Sequence, residues 1–294
     1  MKYSVSFYIL FFIACVLFSA YRHFPGQAAA DQVEQFLASS VPGLTATVAP
    51  LTLGFPLGVK SSSIQTTLEN HPFVRVDEAS AQFRLKTLFS DRRQIAYSGR
   101  IFGGDVTGIA TLSGKDRSGS ENGAQGVLTE SRFDGISLNG VALNAFVSSG
   151  VTMTGQLSGS LTADVSRGRI KGQGEMTSSG LTVEWENPLF SISSVSFSDS
   201  VLRFDMPTPD TIQITTFELK GNQVNLQFSG TILPMVPVEK SKLQLTAEII
   251  FHPGFLVDTE IPIDMVPGGG ARPIRFNITG TIQNPIFQAG AQAG

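Results

Sequence analysis

The chain has 294 residues, enough for one large domain or two smaller ones, and only 15% of them are charged, against roughly 25% in an average soluble protein. The formal net charge of −3 and the lack of a long lysine or arginine run argue against nucleic acid as a partner, because such binding depends on neutralising phosphates. Cys15 is the one cysteine and cannot form a disulfide within the chain. With three histidines and no cysteine beyond the N-terminal run, a Cys/His zinc site is close to excluded. A carboxylate-rich calcium site is the alternative, but the sequence has no EF-hand-like spacing of aspartates, so we expect no metal site and no cofactor.

The first element is an apolar run from Tyr3 to Tyr21 that contains no charge. About 19 residues at 1.5 Å per residue reach across a hydrocarbon layer of roughly 30 Å, so the run predicts a single membrane-spanning helix. The competing interpretation is a signal peptide cleaved near Ala28-Ala29-Ala30, but a signal peptide usually has a shorter apolar region of about 7–15 residues. We favour an uncleaved anchor, residues 1–24, with the apolar residues Phe7, Ile9, Leu10, Phe11, Phe12, Ile13, Val16, Leu17 and Phe18.

The charges that flank this run give almost no orientation signal, because Lys2 precedes it and Arg22 follows it. The rest of the chain has no second uninterrupted apolar run of that length. We therefore expect a short amino terminus in the cytoplasm and a translocated body. In a Gram-negative bacterium this places the anchor in the inner membrane and the body in the periplasm.

Residues 25–43 are expected to form a linker and a short amphipathic helix over Asp31–Val41, with Asp31 as its N-cap. Four apolar side chains recur there at helical spacing: Val33, Phe36, Leu37 and Val41. This stripe either lies on the membrane surface or closes the end of a sheet, and we expect the second arrangement.

Strand signals dominate residues 44–294. The clearest hairpin is Thr211–Ile232, where two alternating runs flank Gly221-Asn222, a dipeptide suited to a tight turn with positive φ. A second hairpin is expected around Gly103-Gly104. Between Val74 and Leu85 the alternation shifts once in phase. The polar, charged loop 115–123 is the best candidate for a subdivision of the sheet.

The strands predict a sheet with one apolar face. Its clearest members are Val224, Leu226, Phe228, Ile232, Leu243, Leu245, Ile249, Phe251, Ile274, Phe276 and Ile278. The 22 phenylalanines, against 4 tyrosines and 1 tryptophan, suit either a dry core or a groove lined for acyl chains. If the sheet curls without closing, its concave face stays apolar and needs a partner, a lipid or a covering helix.

A short pattern of Ser or Thr, Gly, any residue and an aliphatic residue recurs in the strands at Ser98-Gly99, Ser158-Gly159, Ser229-Gly230 and Thr279-Gly280. A glycine on the apolar face leaves room for a neighbouring backbone or a large ring, so the pattern indicates repeated structure. Chance recurrence in a chain rich in serine and glycine is the alternative.

Motifs of enzyme chemistry are missing from the sequence. It has neither the Gly-x-Ser-x-Gly motif of a nucleophile elbow nor a phosphate-binding glycine-rich motif. Asp258, Glu260 and Asp264 cluster in a segment rich in proline and glycine, where a solvated loop face explains them best. We expect a protein without catalytic residues.

Taken together, these features resemble the protein N family of the type II secretion system, in its delta-proteobacterial form, which is similar to the periplasmic AsmA-like proteins. The resemblance covers nearly the whole chain and is carried by the anchor, the amphipathic helix and these segments: 53–58 (LGFPLG), 101–104 (IFGG), 217–221 (FELKG) through Ile232, 241–243 (SKL) and 278–285 (ITGTIQNP).

The resemblance implies a fold and two functions. The fold would be a long, curved, mostly antiparallel sheet, open or shaped as a half-barrel. The first function is a non-enzymatic accessory subunit of the secretion machinery, whose partners are membrane lipids and other subunits. The AsmA-like side implies a periplasmic lipid-binding or lipid-transfer protein with an apolar groove that holds a lipid.

Overall fold

The computed structural model describes residues 12, 19, 21–40, 43–54, 57–68, 71–87, 90–113, 126–140, 151–166, 169–189, 192–235, 237–252 and 273–289. One α-helix of these residues, α1 (Gly26–Ser40), precedes the strands. The strands are β1 (Leu44–Val48), β2 (Thr52–Gly54), β3 (Gly58–Leu68), β4 (His71–Phe83), β5 (Arg92–Ile101), β6 (Gly104–Ser113), β7 (Val127–Ser137), β8 (Val151–Ser166), β9 (Arg169–Leu189), β10 (Ile192–Thr208), β11 (Thr211–Gly221), β12 (Val224–Leu233), β13 (Lys242–Phe251), β14 (Ile274–Gly280) and β15 (Pro285–Ala289). Short 3-10 turns lie at Leu85–Thr87, Leu138–Gly140 and Val238–Lys240.

All of these strands belong to one antiparallel sheet. From β3 onward each strand pairs with the next along the chain, while β1 and β2 both pair with β3 at its outer side. Within the described residues β1 and β15 do not meet, so the sheet is open. The expected mainly β fold with a long antiparallel sheet is confirmed. The sheet also continues through the suggested subdivision, because β6 and β7 pair directly, although loop 115–123 itself lies outside the described residues.

Both predicted hairpins are present, but each turn is displaced by one residue. In the first, Lys220 pairs with Asn225 and the turn centres on Asn222-Gln223, so the prediction of positive φ at Gly221 is wrong. A glycine is still required at this position because a Cβ would lie 2.4 Å from the Ser196 carbonyl oxygen.

In the second hairpin the two turn residues are Phe102 and Gly103, with φ of 47° and 81°. Two consecutive positive φ values are those of a type I′ turn, whose twist matches that of the flanking strands.

The phase shift in the fourth strand is a β-bulge. The pairing of β4 with β5 changes register between Asp77 and Ser80, and Glu78 within that gap has a φ of 53°. An extra residue in one strand keeps Val76 and Ala79 on the same face, which explains the break in the sequence alternation.

Helix α1 begins at Gly26 and not at Asp31, so the prediction that Asp31 caps the helix is wrong. Asp31 instead accepts a hydrogen bond from the Gln27 side chain within the helix. The buried side of α1 is built around Ala30, which is fully buried, and Phe36 lies off that side with 68% of its surface exposed.

Helix α1 packs against β1, at one end of the sheet. The Val48 N–H of β1 donates to Glu34 Oε1 at 2.7 Å, and the Leu51 N–H donates to the Gly26 carbonyl oxygen at 3.1 Å. A Cβ on Gly26 would lie 2.1 Å from the Leu51 carbonyl oxygen, so glycine allows this close approach. The packing therefore supports the expectation that this helix closes one end of the sheet. Glu34 accepts a hydrogen bond from a backbone N–H group that would otherwise be free at the outer edge of β1.

The predicted membrane anchor falls almost wholly on residues outside the described set, including Phe7, Ile9, Leu10, Phe11, Ile13, Val16, Leu17 and Phe18. Phe12 is described, as a helical residue. Across the residues that the structure describes, no helix combines the length and the apolar character that crossing a bilayer requires.

We expect Glu34→Ala to lower the free energy of unfolding by about 1 kcal/mol, because it leaves the partly buried Val48 N–H without its acceptor. Gln35→Ala changes an exposed side chain of the same helix and should stay within about 0.5 kcal/mol of wild type. Urea unfolding followed by circular dichroism measures both variants. Equal stability of the two variants would contradict the role given to Glu34.

Candidate functional site

The candidate site is the apolar face of the sheet, which we define as the face that contains Phe228. One row of directly paired residues crosses eleven strands of this face without a polar side chain. In strand order the row consists of Gly99, Val106, Phe133, Gly159, Met176, Leu202, Phe217, Phe228, Ala247, Phe276 and Ala289. Since neighbouring strands lie about 4.8 Å apart, the row spans a distance on the order of 50 Å.

The register brings together all eleven residues predicted for this face. Val224 pairs with Phe251, Leu226 with Ile249, and Ile232 with Leu243. Ile274 and Ile278 of β14 pair with Ile249 and Leu245 of β13, and Phe276 pairs with Ala247, which itself pairs with Phe228. The rings of Phe228 and Phe217 are in contact, with their centroids 5.5 Å apart.

The opposite face carries most of the charged residues of these strands, and two ion pairs on it join neighbouring strands. Arg203 donates to Glu175 at 2.9 Å, and Arg275 donates to Glu248 at 2.6 Å. The hydrogen bond from Arg203 to Glu175 raises the pKa of Arg203 above its usual range. These pairs are solvent-exposed and contribute little to stability, but they identify the face of the sheet that lies in water.

Only part of the apolar face is buried. A compact cluster of Leu181, Val195, Phe197, Leu219 and Val224 lies near one end of β9–β12, and Leu138 from the turn after β7 packs against it. Outside that cluster most members of the row are half-buried, because they touch their neighbours within the sheet and no second layer of described residues lies over them. A face of this kind leaves apolar surface available to a ligand or partner.

Glycines accommodate large rings on this face. Tyr97 of β5 extends across Gly108 of β6 and makes a 2.6 Å hydrogen bond with the Ser131 hydroxyl of β7. A Cβ on Gly108 would lie 2.3 Å from the Tyr97 ring. Likewise a Cβ on Gly159 would lie 2.8 Å from the Phe133 ring, as the interpretation of the recurring Ser-Gly pattern expects.

The other described glycines of this pattern show how far that interpretation extends. An added Cβ would lie 2.2 Å from the Gln244 carbonyl oxygen at Gly230 and 2.5 Å from the Asn284 carbonyl oxygen at Gly280. At Gly99 it would lie close to the Val76 side chain. All three leave no room for a side chain. The predicted function of the glycines as close-approach positions is therefore confirmed, and only some of them face rings.

A cavity of about 400 Å³ lies where α1 meets the apolar face of β1 and β3–β6. Most of its lining residues are aliphatic and include Val33 of α1, Val48 of β1, Ile64 of β3, Val76 of β4 and Ile101 of β5. Ser61, Ser80, Ser98 and Tyr97 also border it, but the surface that the cavity exposes is formed by apolar atoms. Ligand pockets typically have volumes of roughly 300–1,000 Å³ and mainly apolar walls. This cavity therefore has the size and chemistry to hold part of an apolar molecule.

The sequence reasoning missed this cavity and its residues. It placed the site residues only in β12–β14, although Val76 already belonged to the alternating set around the bulge. The missing signal was the start of α1, because a helix that begins at Asp31 does not include Gly26, whose carbonyl oxygen accepts a hydrogen bond from the Leu51 N–H. The clustered acids Asp258, Glu260 and Asp264 lie outside the described residues.

We expect Phe228→Asp to lower the free energy of unfolding by about 3 kcal/mol, because it places a charge in the apolar row between Phe217 and Ala247. The matched control lies on the opposite face, at Gln227, which pairs with Glu218 and Glu248. Since Asp there would face two carboxylates, the control is Gln227→Lys, expected within about 0.5 kcal/mol of wild type. Thermal unfolding of both variants measures the difference, and an unchanged Tm for Phe228→Asp would show that the face is wrongly assigned.

Comparison with protein-family models, curated proteins and solved structures finds no match to this chain. In the described part of the chain there is also no group of three or more His, Cys, Asp or Glu side chains placed to hold a metal ion. The apolar face and the cavity under α1 are the features of the described residues that bear on function.

Proposed function

We propose that this chain is a lipid-binding protein that holds acyl chains on the apolar face of its sheet. The observation that carries the proposal is the cavity under α1, whose exposed surface is formed by apolar atoms and which adjoins the row of nonpolar residues that crosses the sheet. Acyl chains suit such a surface because they carry no group that requires a hydrogen bond.

The proposal extends to the shape and location of the protein. The sheet curves into an open half-barrel with the apolar face on its concave side, so that a lipid can slide along the row. Residues 1–24 anchor the chain in the inner membrane of a Gram-negative cell, and the sheet lies in the periplasm. What supports this part is the apolar run from Tyr3 to Tyr21 and the resemblance described above.

The test is photocrosslinking with a palmitic acid analogue that carries a diazirine, added to the full-length chain in detergent micelles. We expect crosslinks on peptides from β3–β5, identified by mass spectrometry. Ile64→Trp fills the cavity and should reduce these crosslinks by about tenfold, equal to roughly 1.4 kcal/mol of binding energy. Gln65→Trp is the matched control, because Gln65 is exposed on the opposite face of the same strand.

Two results would overturn the lipid proposal. The first is the absence of crosslinks on β3–β5 in the wild-type chain when the N-terminal run is labelled normally. The second is equal labelling of the Ile64→Trp and Gln65→Trp variants. Circular dichroism of both variants checks that the sheet is intact.

A second candidate is an accessory subunit of the type II secretion machinery, without enzymatic activity, that contacts other subunits by strand addition or docking. The observation that favours it is the outer edge of β15, where Ile286 and Phe287 have 54% and 64% of their surfaces exposed. The test is crosslinking in cells that contain the whole machinery, followed by co-purification with inner-membrane subunits. Recovery of the chain without any such subunit would exclude this candidate.

A further inference from the structure

The two ends of the sheet differ in how their edges are treated. At the β1 end, α1 lies against the edge strand and the Glu34 carboxylate occupies the Val48 N–H. At the β15 end, all five residues of the strand are exposed, and no described element covers the outer edge. An open apolar edge of this kind is a template for another strand, and natural proteins usually protect it with charge or cover.

The free edge carries no charge. Residues 276–289 contain no Asp, Glu, Lys or Arg. This segment, which includes all of β15 and most of β14, therefore presents no charge that would repel the same segment of a second copy. Phe287 lies on the apolar face opposite Ile278, while Ile286 lies on the other face opposite Thr279. Each side of the edge strand therefore exposes one large apolar side chain, which is unusual for a strand that remains in water.

The backbone groups of β15 show which residues a partner strand would pair with. The Thr281 N–H donates to the Asn284 carbonyl oxygen, so the next pair, Gly280 with Pro285, is a non-hydrogen-bonded pair. The alternation then directs the backbone groups of Pro285, Phe287 and Ala289 away from β14. The missing N–H of Pro285 therefore falls on the outer edge, where a proline is tolerated.

We propose that two copies of this chain join edge to edge through β15, antiparallel, about a two-fold axis beside Phe287. In this register the Phe287 residues of the two copies exchange both backbone hydrogen bonds. Each Ala289 N–H donates to the Pro285 carbonyl oxygen of the other copy, and Ile286 faces Gln288 of the other copy. The two apolar faces then form one continuous surface.

The second copy is the occupant that the two edges favour. A head-to-tail contact of β15 with β1 would extend without limit, and α1 with Glu34 blocks it. Pairing of β15 with itself closes after two copies and requires no other protein. The proposed dimer uses the same edge of β15 as the second candidate function. The test therefore distinguishes a second copy of this chain from a strand of a different protein.

Disulfide trapping in native membranes tests the register, with the full-length chain in a Cys15→Ser background so that the added cysteine is the only one. Phe287→Cys should form a disulfide-linked dimer under mild oxidation, because residues in a hydrogen-bonded pair have Cα atoms about 5.5 Å apart. Ile286→Cys alone should not form a disulfide-linked dimer, because the two residues 286 are diagonal neighbours across the interface, about 7–8 Å apart.

Co-expression of Ile286→Cys and Gln288→Cys on chains with tags of different size should restore the crosslink as a mixed dimer, since these residues face each other. The side chains of Ile286 and Phe287 are mostly exposed, so the substitutions leave the fold intact, and strand content by circular dichroism checks this.

Three results would overturn the proposal. One is a Phe287→Cys chain that remains monomeric on non-reducing gels, and another is a dimer with Ile286→Cys alone that is as abundant as the mixed one. The third is Phe287→Cys linked only to a different protein, which would assign the edge to a foreign strand and support the secretion-subunit candidate. None of these results bears on lipid binding at the cavity.

Discussion

Each strand of this sheet has to keep its nonpolar side chains in phase with those of both neighbours, because a slip of one residue turns a whole strand over. The row from Gly99 to Ala289 shows that the chain meets this condition across eleven successive strands. Where the chain has an extra residue, a bulge absorbs it. Glu78, Gly135 and Gly155, each with a positive φ, lie at three of these register changes and return the alternation to the same face.

The phase condition links packing to the proposed function. Among the described residues, two segments outside the strands cover parts of the apolar face: α1 at one end and Leu138 over the cluster near Phe197. The remaining row is stabilised by contacts along the sheet, such as the Phe217–Phe228 pair, and stays half-buried. The same incomplete burial that limits stability also leaves the apolar surface that the proposed function requires.

The sequence predicted the sheet and its apolar side well, because both depend on a period of two that is visible residue by residue. Val224, Leu226 and Phe228 alternate in the sequence and lie on one face in the structure. The prediction from the sequence failed where contacts between residues far apart in the chain decide the local conformation. Gly221 was interpreted as a turn residue, but the Ser196 carbonyl oxygen is what excludes a side chain there. The cavity under α1 depends on the approach of Gly26 to Leu51, and no local pattern reveals an approach between residues so far apart in the chain.

The connection of each strand to the next has a consequence for how the chain folds. Because β3 to β15 pair in the order in which they occur, every closure joins adjacent segments and costs little loop entropy, even in a sheet of this length. A chain that enters an aqueous compartment from its amino-terminal end can therefore lengthen its sheet strand by strand. At every stage the newest strand is the growing edge of the sheet, and each strand from β4 to β15 has the preceding strand as its template.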